Sequence, residues 1–380
     1  MSFDIQKEFP SVGRDGIYLN AASTGPLPAR TVAETDRWTQ LRAEPWKIDL
    51  DEQFGALAKA RNLCAGLIGA GADEIALVPN TSTGLNIAAQ VLPIAKDRVV
   101  VGYDGEFPAN VYPWMAIERR GGARYEQIRL LPNGLPDWEA LPARLDRGDV
   151  GAVAISWVSF VSGDRADLAT IGAMCHERGI WFVVDAIQGV GTTPLDVHAC
   201  NVDILSCGAQ KWLLSPWGSG FCYVRRELTQ SLEPRDVGWL GVRGAEDFSH
   251  MLEYDLTYEG DARRFEVATI PYQDMAGMCS SLGLLSEIGL DVVQQRIHSL
   301  AGRLVAGIKS IPTLSLVTPS SDSRRAGIVS FNVKDSEAVS RRLTDAGVAH
   351  SVRGGGVLRV SPHVYNTEQE IDRVLALLDG

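Results

Sequence analysis

The chain has 380 residues, 45% of them hydrophobic and 22% charged, and a formal net charge of −11. That length and balance fit a globular protein with more than one core. The acidic surplus and the lack of any Lys/Arg run argue against nucleic acid or an anionic lipid surface as partner. No apolar run approaches the roughly 18–20 residues that span a bilayer. The first residues, MSFDIQKEF, lack the basic start and apolar middle of a signal peptide, so a cytoplasmic location is expected. Six cysteines occur, Cys64, Cys175, Cys200, Cys207, Cys222 and Cys279, without any C-x-x-C pair. They read as small core residues in a reducing compartment.

From about residue 75 to 225, short apolar runs alternate with amphipathic segments. The candidate strands are EIALVP, DRVVVG, ARYEQI, GAVAIS, IWFVVD, VDILSC and GFCYVR. Helices are expected over 83–91, 108–119 and 166–177. This alternation predicts an α/β fold with a mostly parallel seven-stranded sheet covered on both faces. In such sheets ligands bind beyond the carboxyl ends of the strands. After about residue 260 the texture changes. A helical pattern over 272–310, broken near Gly289, precedes the strand IVSFNV. A helix over 336–346, strands VAHSV and VLRVS, and a last helix from about Thr367 follow. The expected division is an N-terminal segment (1–20), a large domain (21–260) and a smaller α+β domain (261–380).

Three loops at strand ends carry chemistry. The first, Asn80-Thr81-Ser82-Thr83-Gly84, opens a helix, and hydroxyls with free N–H groups at a helix N-terminus form an anion site. Taken alone, Thr81 or Ser82 reads as an N-cap. The second places Asp185 at the end of the apolar strand IWFVVD, with Gln188 three residues on. A carboxylate there can pair with a protonated ring nitrogen, and Gln188 can bond an oxygen on the same ring. Alone, Asp185 reads as the cap of a turn. The third, Ser206-Cys207-Gly208-Ala209-Gln210-Lys211-Trp212, sets a lysine among small and aromatic neighbours. Desolvation there makes its amine more nucleophilic. Alone, Lys211 reads as a surface lysine with a buried stem. Together the three loops are the parts of a pyridoxal-phosphate (PLP) site: a phosphate cradle, an acid for the pyridine nitrogen and an amine for the Schiff base.

In order and spacing, the chain resembles the class V aminotransferase family of fold-type I PLP enzymes. That family includes cysteine desulfurases, selenocysteine lyases and isopenicillin-N-epimerase-like proteins. The resemblance runs through IYLNAASTGPLP, NTSTGLN, GEFPANVYPW, SWVSFVSGDRADL, VVDAIQGVG, GAQKWLLSPWGSGF, RRFEVATIPYQDM and LRVSPHVYNTEQEID. It implies that Lys211 forms the Schiff base, that Asp185 holds the pyridine nitrogen and that Gln188 holds the ring oxygen. Thr81 and Ser82 match the phosphate-binding pair, and Gln210 replaces a histidine while keeping a donor for phosphate. Thr269 matches a threonine offered to the phosphate of a neighbouring subunit, which implies a homodimer with shared active sites. Arg359 matches the arginine that grips the substrate α-carboxylate through a bidentate pair.

The departures from the family pattern bear on the reaction. Phe107 stands where desulfurases place a histidine that stacks on the cofactor and moves protons. Phe160 replaces an asparagine, Gly208 replaces a serine, and the segment HSVRGGGVLRVS has no cysteine to accept sulfur. Lys211 is therefore the expected general base at Cα. The activity implied is chemistry at Cα and Cβ of an amino acid through an external aldimine, as a cysteine-desulfurase-like lyase without the persulfide cysteine. An aminotransferase, an epimerase or a non-catalytic PLP-binding regulatory protein are the alternatives. The sequence leaves the roles of Phe160 and His363 open.

Overall fold

The computed structural model describes residues 5–249 and 251–380. Seven strands build its main sheet: β1 (Ile75–Leu77), β2 (Val99–Tyr103), β3 (Arg124–Ile128), β4 (Val150–Ser156), β5 (Trp181–Asp185), β6 (Ile204–Gly208) and β7 (Gly220–Val224). Their order is β1-β7-β6-β5-β4-β2-β3, and β7 alone runs against the rest. All seven expected strands are present, and the chain has the fold-type I architecture expected of it. The central strands are apolar on both faces because both faces are covered. Along β5, Phe182 and Val184 point into one core while Val183 points into the other, the period of two that a pleated strand imposes. The edge strand β3 instead exposes Arg124 and Gln127, charged and polar groups that suit an unpaired edge.

Helices α1 (Ala29–Ala43), α2 (Leu50–Ile68), α3 (Thr81–Val91), α4 (Tyr112–Arg119) and α5 (Leu168–Glu177) accompany this sheet. α2 and α5 bury Leu57, Cys64, Leu168 and Ile171 in one core, whereas α3 and α4 bury Leu85, Ala88 and Trp114 in the other. Each such Leu or Ile contributes about 1.5–3 kcal/mol on burial. The helical segment expected over 272–310 is two helices, α6 (Tyr272–Ile288) and α7 (Leu290–Ser310), bent by 82° about Gly289. No single helix among the described residues is long and apolar enough to cross a membrane.

The smaller sheet has order β10-β11-β9-β8, antiparallel throughout, from β8 (Leu314–Leu316), β9 (Val329–Val333), β10 (Ser351–Arg353) and β11 (Val357–Val360). Helices α8 (Ser336–Asp345) and α9 (Glu368–Asp379) pack on it. The stretch VAHSV splits at His350, where Val348–Ala349 pairs with Ile17–Tyr18 instead. The division of cores departs from the expected boundary at residue 260. Met275, Met278, Leu282 and Leu285 of α6 lie in the large core, and α7 crosses from it at Val293 and Ile297 to the small core at Leu300 and Leu304. The N-terminal segment is shared too: Ile17 and Leu19 are in the small core, and Phe9 is in the large one.

Candidate active site

Three strand ends of the large sheet converge. Asp185 closes β5, in register with Ser156 of β4 and Ser206 of β6, and is only 2% exposed. Its Oδ1 accepts the Ile187 backbone N–H at 3.1 Å. Burial pushes its pKa up to about 6, against the pull of that N–H and of Lys211. Next to it begins α3, two residues earlier than expected, and Asn80 rather than Thr81 or Ser82 is the cap, accepting the Thr83 N–H at 3.0 Å. This leaves the first N–H groups of α3 unclaimed by the helix. Thr81 is buried. Its Oγ1 accepts the Gly208 N–H at 2.9 Å, and Ser206 Oγ donates to its carbonyl at 2.9 Å, so the helix start is tied to the end of β6. Gly84 permits the approach, because a Cβ there would stand 2.3 Å from Ser206 Oγ. Ser82 is exposed beside it.

Lys211 leaves β6 three residues past that junction. Its amine lies 5.7 Å from the centre of the Phe107 ring. Burial, and then Arg359 and Arg353, lower its pKa to about 8, with Asp185 acting the other way. The backbone on both sides of it is fixed. Gly25 N–H donates to Gln210 O at 2.8 Å, and a Cβ on Gly25 would lie 2.2 Å from Lys211 O. Trp212 is 1% exposed and donates its indole N–H to Gln188 Oε1 at 2.8 Å. His363 stacks on the Trp212 ring and sits 3.0 Å from Trp212 O. Burial lowers His363 to about 4, so it is a neutral donor in this packing. Gln188 also donates to Ala22 O at 3.0 Å, which leaves one amide hydrogen for a ligand. The Gln210 amide stands where a Gly208 side chain would go, 2.5 Å from the Cβ position.

The opposite wall comes from the small domain. Ser351 faces Arg359 across β10 and β11, and Arg353 stands on the same face two residues on. Arg359 is 1% exposed. It donates to Ser351 Oγ at 3.1 Å, to Phe160 O at 2.8 Å and to Ser23 Oγ at 2.7 Å. Burial, with Arg353 nearby, lowers it to about 9. The Phe160 ring lies between Phe107, edge to face at 5.3 Å, and the Arg353 guanidinium at 6.0 Å. Phe160 thus links the two walls through its carbonyl and its ring. Thr269 is not drawn into this group. It is exposed and lines a cavity with Pro79, Thr83 and Gln90 that neither Lys211 nor Asp185 borders.

Sequence reading passed over three residues here. Ser23 and Arg353 are one hydroxyl and one guanidinium without a motif of their own. Glu106, beside Phe107, is half-buried. It accepts the Ser156 hydroxyl, the Ser156 N–H at 2.8 Å and the Asn110 amide at 3.2 Å. Burial, with the Asp185 charge adding to it, raises it to about 7. An acid in the loop after β2 was the available signal.

The class V aminotransferase family model matches residues 17–374. The chain belongs to that family. Its members are PLP-dependent enzymes acting on amino acids, and this chain is one. A probable cysteine desulfurase of Methanothermobacter thermautotrophicus is 28% identical, over 97% of this chain and 95% of that protein. A cysteine desulfurase of Klebsiella pneumoniae is 28% identical over 99% and 98%. Among solved structures, the cystine C–S lyase C-DES, in complex with cysteine persulfide, superposes with a TM-score of 0.87 at 24% identity, over 98% and 99%. At that identity the match speaks for the fold. The residues present fit the cofactor. Asp185 Oδ2 has no hydrogen-bond partner among the described residues, Lys211 carries an unpaired amine, α3 offers free N–H groups, and the half-exposed Phe107 ring presents a face.

Proposed function

We propose that this enzyme is a lyase acting at Cα and Cβ of an amino acid, like cysteine desulfurase but releasing its leaving group to solution. When bound, PLP would supply an electron sink for chemistry at the substrate Cα. Lys211 holds the cofactor and moves the Cα proton. Asp185 keeps the ring nitrogen protonated, and Gln188 spends its remaining N–H on the ring oxygen. Thr81, Ser82 and Gln210 hold the phosphate, Phe107 covers the ring and Arg359 holds the substrate carboxylate. Phe107 and Phe160 carry no proton, and Lys211, with its amine over the Phe107 ring and its pKa lowered to about 8, is the group assigned to proton transfer.

One observation carries the choice of reaction: five of the six cysteines are buried, and the segment 350–361 that carries Arg353 and Arg359 contains none. Burial raises every cysteine, with Cys175 and Cys222 at about 12, Cys279 at about 11, and Cys64, Cys200 and Cys207 raised as well. A thiol that stays protonated does not take sulfur from a substrate. All six are free, which supports a reducing, cytoplasmic setting. Thr269 lines a cavity that its own Lys211 does not border, which supports the homodimer in which it serves the neighbour's phosphate. Exposed Trp239, Leu252, Tyr254 and Leu256 supply apolar surface for that contact.

The test is product analysis of the purified enzyme, which absorbs near roughly 420 nm when loaded, over a panel of amino acids with β substituents. Pyruvate and ammonia in equal amounts, with the substituent free in solution, are expected. A trappable protein persulfide, or a keto acid that keeps its β substituent, would overturn the reading.

A further inference from the structure

Ser23 Oγ accepts two guanidinium groups at once, Arg359 at 2.7 Å and Arg353 at 3.0 Å. A hydroxyl has two lone pairs and one hydrogen, so both acceptor positions are taken and only its hydrogen remains to donate. Arg359 spends three of its N–H groups on Ser351, Phe160 and Ser23 and keeps two. Among the described residues the Arg353 side chain makes only the bond to Ser23, and its Nε is buried without a partner. Among the described residues, no acid pairs with either group, and burial works against both charges. An unpaired cation is costly when buried, as Arg359 is, or half-buried, as Arg353 is, and two side by side repel. No negative charge among the described residues offsets that repulsion. The two cations complement a ligand with two negative charges.

One of those charges is the α-carboxylate that the proposed function places on Arg359. The cofactor phosphate is accounted for on the large-domain side, at α3. Arg353 is two strand positions nearer the Gly354–Gly356 turn, with Phe160 against its flat face. We infer that the substrate carries a second acidic group on its side chain, a carboxylate or sulfinate, and that Arg353 and the Ser23 hydroxyl bind it. This rests on Arg359 gripping the α-carboxylate. It concerns recognition and adds no chemical step.

The experiment follows Cα-proton exchange in D₂O by NMR with loaded enzyme, comparing aspartate, glutamate and cysteine sulfinate with alanine, serine and cysteine. Wild type is expected to favour the acidic set by about 10-fold or more in kcat/KM, and Arg353→Gln to bring that ratio close to one. A wild-type preference for the neutral set overturns the inference. So does an equal loss on both sets in the variant, which would make Arg353 a second grip on the α-carboxylate. A readout without turnover is the Tm shift with succinate against propionate. A larger succinate shift that disappears in Arg353→Gln supports the inference, and equal shifts in wild type sink it. If the enzyme shows no cofactor band and exchanges no amino acid, the proposed function fails, while the succinate comparison still decides this point.

Discussion

The two walls of the active site are built on opposite principles. The frame of the large-domain wall is self-satisfied: Thr81 with Gly208, Trp212 with Gln188, and His363 with Trp212 O each close a polar group against protein, and only Asp185, Lys211, the spare Gln188 N–H and the α3 N–H groups stay open toward the cofactor. The small-domain wall leaves charge unmet, with Arg353 and Arg359 crowding one serine hydroxyl and no counter-charge among the described residues. The first wall serves a cofactor that never changes, and rigidity is its virtue. The second serves a ligand that arrives and leaves, and its unmet charge is affinity in reserve. The contrast teaches where to look for specificity: in the groups whose pairing the protein leaves undone.

Several substitutions test that contrast. Lys211→Ala is expected to abolish the band near roughly 420 nm and cut Cα exchange by about 10³-fold or more, since one residue holds the cofactor and moves the proton. Retention of either would break the assignment. Arg359→Gln is expected to lower kcat/KM by about 10²-fold on acidic and neutral amino acids alike, the scale for losing one member of a buried charge pair. Selective loss would instead assign it to the side chain. The rate at which cofactor-free enzyme takes up PLP tests the amine. The neutral amine attacks, and its pKa is lowered to about 8. The rate should therefore rise about tenfold per pH unit up to about 8 and level off above it. Arg353→Gln removes a charge that depresses this amine, so it should move the midpoint upward. The smallest effect belongs to the satisfied wall. Trp212→Phe keeps the ring but strands Gln188 Oε1, at a cost of about 1–2 kcal/mol in urea unfolding. No change there would mean that Gln188 finds another donor.

Much of the large-domain wall was legible in the sequence. Strands buried on both faces are continuous apolar runs, so the ends of IWFVVD and VDILSC pointed directly to Asp185 and Lys211. The helix α1 was not read. It buries little beyond Thr31 and Trp38, so it carries no apolar stripe to recognise. α6 lies past residue 260 yet packs in the large core, and a helix buried against α1 and α2 has the same composition on either side of a boundary. Arg353 was invisible for a different reason. Its meaning lies in Ser23, 330 residues away, and in a strand pairing that sets both arginines on one face. Periodicity within a segment cannot report a meeting of that kind.

The hairpin of β10 and β11 has a consequence for how this enzyme changes over time. Ser351, Arg353 and Arg359 occupy one continuous ribbon, and nothing in that ribbon holds Asp185 or Gln188. A short insertion or exchange at the Gly354–Gly356 turn would rewrite what the enzyme accepts while replacing none of the residues that hold the cofactor. Diversification of substrates in such a protein needs only a replaceable cassette, and directed evolution confined to this hairpin is the economical place to start.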